Sequence, residues 1–178
     1  MSFQAHFMLQ LATNQSSAQA TGNIMRICTA ITIRPAVAAD QPRITALVRM
    51  ARINPRNLDW QRFMVAEVEG EIVGIRQVRI HKNGTREVAS GVVLPAYRRQ
   101  GISAQLMQAL LTRQQGAFYL MCDEQWWSYY GQFGFERVQP IALPTDFRRQ
   151  YQVGQVITAI LSLLRAHKVQ IIPLHRAA

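Results

Sequence analysis

Lysine is almost missing from this chain: Lys82 and Lys168 are the only two, so eighteen of the twenty basic residues are arginine. Acidic residues are also scarce, ten in all and none before Asp40, which leaves a formal net charge of +10. Guanidinium groups match phosphate and carboxylate, so an anionic cofactor or substrate is expected, with nucleic acid as the rival and a solvated arginine surface as the plain alternative. Cys28 and Cys122 are too few and too far apart for a disulfide framework or a CxxC-type zinc site. His6, His81, His167 and His175 form no cluster, and no metal is expected. No run of about 18 apolar residues occurs, and the N-terminus lacks the basic, apolar and small-residue parts of a secretory signal. A soluble cytoplasmic protein with no membrane partner is the expectation.

What is present suits one folded domain. The 178 residues are 49% hydrophobic and 17% charged, enough apolar mass for a sizeable core. Residues 1–28, rich in Gln, Ser, Thr, Asn and Ala, read as a flexible N-terminal extension. From there the signals become regular. ITIRPA (31–36) reads as a strand, and Asp40 with Pro42 predicts a helix start with Asp40 as its N-cap, carried on by Ile44, Leu47, Val48 and Ala51. FMVAEVE (63–69), EIVGIRQVRI (71–80) and REVASGVVL (86–94) predict a three-stranded antiparallel meander, its last turn marked by Asn83-Gly84.

After Pro95 the period becomes helical through Ile102, Leu106, Met107, Leu110 and Leu111, closed by Gly116. FYLMC (118–122) is a continuous apolar run, as in a strand covered on both faces. A helix over 124–133, a strand at 135–138, an inserted helix over 145–167 and a last strand at 169–175 complete an α+β domain with a mixed sheet, spanning 29–178. The inserted helix carries Tyr151, Ile157, Ile160, Leu161 and Leu164 as an apolar stripe, to be covered by the domain's own strands or by a second copy in a homodimer.

The stretch that carries chemistry is GVVLPAYRRQGISAQLMQALL (91–111). A strand ends, Pro95 stops it, and a basic loop containing Gly101 opens a helix. The first turn of a helix has free N–H groups and a partial positive charge, Gly101 permits close approach of backbone to phosphate, and Arg98 and Arg99 add full charges. A pyrophosphate fits such a loop, although neither the Walker A nor the GxGxxG pattern is present.

Here the sequence resembles the GNAT superfamily of N-acetyltransferases, whose coenzyme A loop reads [QR]-x-x-G-x-[GA]. Arg98-Arg99-Gln100-Gly101-Ile102-Ser103 matches it except at Ser103, and Tyr130, Gly134 and Phe135 match the family's Tyr-x-x-x-Gly-Phe signature in the correct order. The resemblance spans about 31–138 and implies a single domain whose mixed, twisted sheet is splayed between strands four and five and flanked by helices. It implies acetyl-CoA as co-substrate, a small-molecule or protein amine as acceptor, and direct attack of the amine on the thioester in a ternary complex.

The resemblance also implies roles for residues. Arg98, Arg99, Gln100, Gly101, Ile102, Ser103 and Ala104 would bind the pyrophosphate, and the backbone of Val92 and Val93, at a bulged end of strand four, would hold the pantetheine arm and polarise the thioester carbonyl. Tyr130 would protonate the departing thiolate, and Glu87 would deprotonate the amine, its alternative being an arginine pair across the Asn83-Gly84 hairpin. Asp123 reads as an N-cap and Trp126 and Trp127 as packing. Cys122 on an apolar strand reads as an inert thiol. Phe147, Arg148 and Arg149 begin the helix expected to frame the acceptor pocket. A coenzyme A-binding regulator without turnover is the alternative function, and an arginine-rich nucleic-acid-binding domain a more distant one.

Overall fold

The computed structural model describes residues 30–164 and 170–178, with the backbone alone for 160–164. The expected 1–28 extension lies outside the described residues, as do the side chains of Ile160, Leu161 and Leu164. Seven strands form one mixed sheet: β1 (Ile31–Pro35), β2 (Phe63–Val68), β3 (Glu71–Ile80), β4 (Arg86–Val93), β5 (Phe118–Asp123), β6 (Glu136–Arg137) and β7 (Ile171–Arg176). Their spatial order is β1-β2-β3-β4-β5-β7-β6. The first four strands pair antiparallel in sequence order, as the turn signals predict. At the Asn83-Gly84 turn, His81 N donates to Thr85 O at 2.9 Å and Gly84 N to His81 O at 3.0 Å.

Helices cover both faces. α1 (Gln41–Met50) places Ile44, Leu47 and Val48 against Phe63, Val65, Ile75 and Val92. α2 (Ile102–Arg113) places Ile102, Leu106, Met107 and Leu110 on the other face with Val78, Val88, Phe118, Leu120, Phe135 and Leu174. Burying a side chain of this size contributes about 2 kcal/mol relative to leaving it in water, so α2 is fixed firmly and its N-terminus is a rigid platform. The predicted 124–133 helix is shorter than its signal: a 3₁₀ turn at Glu124–Trp126 leads into α3 (Trp127–Gly131). The strand expected at 135–138 contracts to the two residues of β6.

α4 (Thr145–Leu164) follows, and of the expected stripe Tyr151 and Ile157 have described side chains. Phe147, Gly154 and Thr158 are buried, Tyr151 and Ile157 are half-buried, while Val153 and Val156 are exposed. This face lies on β7: Gly154 packs beside Ile171, and Gln155 donates to the Ile171 carbonyl at 2.8 Å.

Asp40 corrects a second expectation. A 3₁₀ turn at Ala38–Asp40 precedes α1, so Asp40 is already inside a turn and its carboxylate reaches back instead of capping forward. It accepts from Val37 N at 2.8 Å and pairs with Arg34 at 2.7 Å. The Arg34 guanidinium holds its carboxyl below the usual carboxylate range, against burial, with help from the Val37 amide. A carboxylate lowered on folding stabilises the fold above its unfolded value, and that contribution disappears as pH falls through the folded one. Asp40→Asn is therefore expected to lower Tm at neutral pH and to flatten the loss of Tm below about pH 4, checked by thermal melts across pH.

β4 and β5 run parallel but are registered at a single pair, Glu87 with Tyr119. Beyond it the edge of β4 from Val88 to Val93 has no strand beside it among the described residues, and the sheet parts there as the resemblance implies.

Candidate active site

β4 bulges within its open edge. Ile75 pairs with Val92 and Gln77 with Ala89, so β4 carries one residue more than β3 over this stretch, and Ser90 takes a positive φ of 51°. The bulge thus lies at Ser90 and Gly91, two residues ahead of Val92 and Val93. The side chain of Val92 enters the α1-side core and that of Val93 the α2-side core, leaving their backbone as the part that faces a ligand. The Val93 carbonyl accepts from Arg98 Nε at 3.2 Å, which ties the loop to the strand end.

The loop is built as an anion cradle. Arg99 has φ 62° and Gly101 φ 76°, so two left-handed residues flank Gln100, a backbone alternation of the kind that forms anion-binding concavities. At Gly101 the demand is on the backbone, since a Cβ would meet only the end of Gln105 at 3.8 Å. Arg99 meets the same demand with a side chain, a strain of roughly 1–2 kcal/mol that marks a functional loop. α2 begins at Ile102, whose side chain is in the core, and the amides of Ile102 and Ser103 have no carbonyl one turn back to bond. Ala104 N is committed to Gly101 O at 3.0 Å, and the Gln100 side chain donates to Ala96 O at 3.3 Å. The loop therefore brings Arg98, Arg99, Gly101, Ile102 and Ser103 together, and turns Gln100 and Ala104 to its own bonding.

Tyr130, on α3, faces the same region from the far side of the gap. Burial pushes its phenol above the ordinary tyrosine range, opposed by the charge and hydrogen bonding of Arg76 on β3. Ser103 Oγ lies 2.9 Å from an Arg76 nitrogen and 2.8 Å from the Tyr129 hydroxyl. Sequence reasoning missed Arg76 and Tyr129; an arginine at the middle of β3, directly after the apolar Ile72–Ile75 stretch, was the available signal.

Glu87 is buried at the closed end of the gap. Its Oε2 takes Arg79 Nη1 at 3.3 Å and His81 Nε2 at 2.9 Å, so the cross-hairpin arginine pair is formed and a histidine joins it. His81 packs edge-on to Phe147 of α4, whose ring also meets Tyr119. Arg148 does not address this space, because its guanidinium holds the Leu143 carbonyl at 3.0 Å, whereas Arg149 is exposed. Asp123 accepts from Gln125 N at 3.2 Å, the cap its position predicts.

Burial pushes the Cys122 thiol up to about 12. In a Cys28→Ser variant, native protein at pH 8 should resist a thiol-specific disulfide reagent, and denaturant should expose one reactive group. Rapid native labelling would contradict the packing of β5.

The gap between β4 and β5, the cradle at its mouth and the phenol across it together form the candidate site. Residues 59–137 match the model of the acetyltransferase (GNAT) domain. No curated protein matches the sequence. Among solved structures it is similar to N-acetylglutamate synthase from Neisseria gonorrhoeae complexed with coenzyme A and N-acetyl-glutamate, at 17% identity and TM-score 0.64 over 83% of this chain and 35% of that one. The chain thus spans about a third of that synthase. It is also similar to Rv2747 from Mycobacterium tuberculosis in complex with CoA and NLQ, at 20% identity and TM-score 0.60 over 83% and 99% of the two chains. An acetyltransferase of GNAT family from Staphylococcus aureus Mu50 aligns at 15% identity and TM-score 0.58 over 83% and 99%. At these identities the likeness is one of fold. Among the described residues no helix is long and apolar enough to cross a membrane.

Proposed function

We propose that this protein is an N-acetyltransferase that moves an acetyl group from acetyl-CoA to a primary amine by direct attack in a ternary complex. The observation that carries the reading is the convergence of the amide cradle at Arg98–Ser103 and the half-buried Tyr130 on the gap where β4 leaves β5. The residues present fit the co-substrate: the cradle offers N–H donors, helix dipole and two guanidiniums to the diphosphate, and the free edge of β4 offers backbone groups to the amide-bearing pantetheine arm. Acetyl-CoA supplies the thioester as acyl donor.

Four tasks then fall to this chain. The loop binds and orients the donor, which removes translational freedom from the reaction. The backbone of Val92 and Val93 polarises the acyl carbonyl, a kind of contact worth about 3–4 kcal/mol. Tyr130 holds a proton for the leaving sulfur. The buried pair of Glu87 and His81 receives the proton from the amine, directly or through water. Burial keeps Tyr130 protonated, the state an acid requires.

The test is thiol release from acetyl-CoA with a panel of amines: amino acids, polyamines, aminoglycosides and peptides. Amino acids lead because the structurally similar synthase was crystallised with N-acetyl-glutamate. Amine-dependent release is expected. Tight acetyl-CoA binding with no release under any amine would make the protein a coenzyme A-binding regulator, and failure to bind acetyl-CoA would overturn the reading.

A further inference from the structure

Arg76 is the buried charge that the assignments above leave without a task. It stands at the middle of β3, between Ile75 and Gln77 where the register against β4 shifts, and is 6% exposed. Burying a guanidinium costs several kcal/mol unless its surroundings compensate. No carboxylate pairs with it among the described residues, and its Nε has no partner there. Its neighbours belong instead to the reaction centre. Ser103 Oγ accepts from Nη2 at 2.9 Å and is shared with the Tyr129 hydroxyl at 2.8 Å. Tyr129 in turn packs edge-on to the Tyr130 ring at 5.0 Å between centroids, and Arg76 opposes the rise that burial imposes on the Tyr130 phenol.

The chain makes room for this arrangement at Gly91. A Cβ there would stand 2.8 Å from Arg76 Nη2 and 3.0 Å from its Cζ, so any larger residue would push the guanidinium aside. Ser103 fits the same design. It is the one position of the loop that departs from the family pattern, and its hydroxyl is the group that holds Arg76.

Proton transfer from a phenol to a thiolate runs uphill. An ordinary phenol has pKa near 10 and an alkyl thiol near 8.5, and burial raises the phenol further. A fixed positive charge beside the phenol oxygen offsets that difference as negative charge appears there. We propose that Arg76 is a positioning residue for Tyr130, aiming its hydroxyl and balancing the phenolate left when the proton moves to the departing thiolate. In that step the Tyr130 O–H bond breaks, an S–H bond forms, the bonding pair stays on the phenolate oxygen, and solvent later returns a proton. The inference rests on the reading of Tyr130 as the acid.

The test combines Arg76→Gln, Arg76→Lys and Gly91→Ala with Tyr130→Phe. Arg76→Gln should lower kcat about tenfold or more with calorimetric acetyl-CoA affinity nearly unchanged, and Arg76→Lys should recover part of it. Added to Tyr130→Phe, Arg76→Gln should cost little more, because groups acting as one unit are not additive. A second readout needs no turnover. In protein labelled with 3-fluorotyrosine, more acidic than tyrosine, the ¹⁹F resonance lost in Tyr130→Phe should titrate about one pH unit or more higher once Arg76 is Gln. The groups acting on that phenol are Arg76 from β3, Cys122 from β5 and Tyr129 from α3, and of these Arg76 is the one that carries a charge at neutral pH. Should Arg76→Gln fail to fold, Gly91→Ala displaces the guanidinium while keeping it, and should give the same kcat loss and upward titration. An unmoved titration, or losses that multiply in the double variant, would overturn the role of Arg76. Wild-type turnover in Tyr130→Phe would instead remove the acid reading and the proposal with it, and the two failures are told apart by that single variant.

Discussion

Tyr130→Phe is expected to lower kcat by about 10² or more while leaving Tm and acetyl-CoA affinity close to wild type, because a positioned general acid commonly contributes 10² to 10⁴. The substitution removes one oxygen and keeps the ring. That ring packs edge-on to Tyr129 and Phe135, at centroid distances of 5.0 and 6.3 Å, so the aromatic contacts survive. The sign of the pH effect follows from burial. A phenol raised above its ordinary value stays protonated through neutral and mildly alkaline pH, so loss of the acid should not limit wild-type kcat below about pH 10. In the variant, kcat should be depressed across that whole range, and the depression should shrink little on the alkaline side, because deprotonating the amine does not replace the missing proton. Steady-state kcat and KM for both substrates from pH 6 to about 9.5 check this. A large rise in KM for acetyl-CoA with unchanged kcat would place Tyr130 in binding rather than proton transfer.

The parts of this molecule that were legible in the sequence are those set by local rules. Asn83-Gly84 between two alternating segments predicts a hairpin, and once that register is taken, Arg79 faces Glu87. The apolar run at Phe118–Cys122 predicts the strand β5, which is buried on the face of Phe118, Leu120 and Cys122 but only half-buried on the face of Tyr119 and Met121, where full cover was expected. The basic Gly101 loop before a helical period predicts the cradle. Where a neighbour distant in sequence decides, the signal fades. Asp40 has the composition of a forward cap, but the preceding 3₁₀ turn and Arg34 draw its carboxylate backward. α4 has apolar residues on more than one side, and β7 selects the face bearing Gly154 and Thr158. The network of Arg76, Ser103 and Tyr129 joins residues 27 and 26 positions apart through a space that exists only because Gly91 lacks a side chain. No periodicity encodes such a meeting. His81 is intermediate, since the hairpin brings it near Glu87, yet its identity as a partner depends on burial beneath Phe147.

Reversing charge at the cradle should produce the largest change in binding. Arg98→Glu with Arg99→Glu is expected to weaken coenzyme A by well over tenfold, more than 1.4 kcal/mol, measured by calorimetry at about 0.1 M salt. Two contributions add. Two charges change sign beside a diphosphate, a net change of four units, at a site where helix dipole and amides already favour an anion. Arg98 also anchors the loop through Val93 O, so its loss loosens the geometry that presents those amides. The single variants should separate these. Arg98→Gln removes the anchor and one charge, while Arg99→Gly removes the other charge and relieves a left-handed backbone, φ 62°, so it should cost affinity without costing Tm. Wild-type affinity should also fall as salt rises, since exposed phosphate contacts are screened over about 10 Å at 0.1 M, and the salt dependence should be shallower in the double variant. Undiminished affinity in the double variant would move the diphosphate away from residues 98–104, and with it the ground for reading the β4 edge as the seat of the thioester.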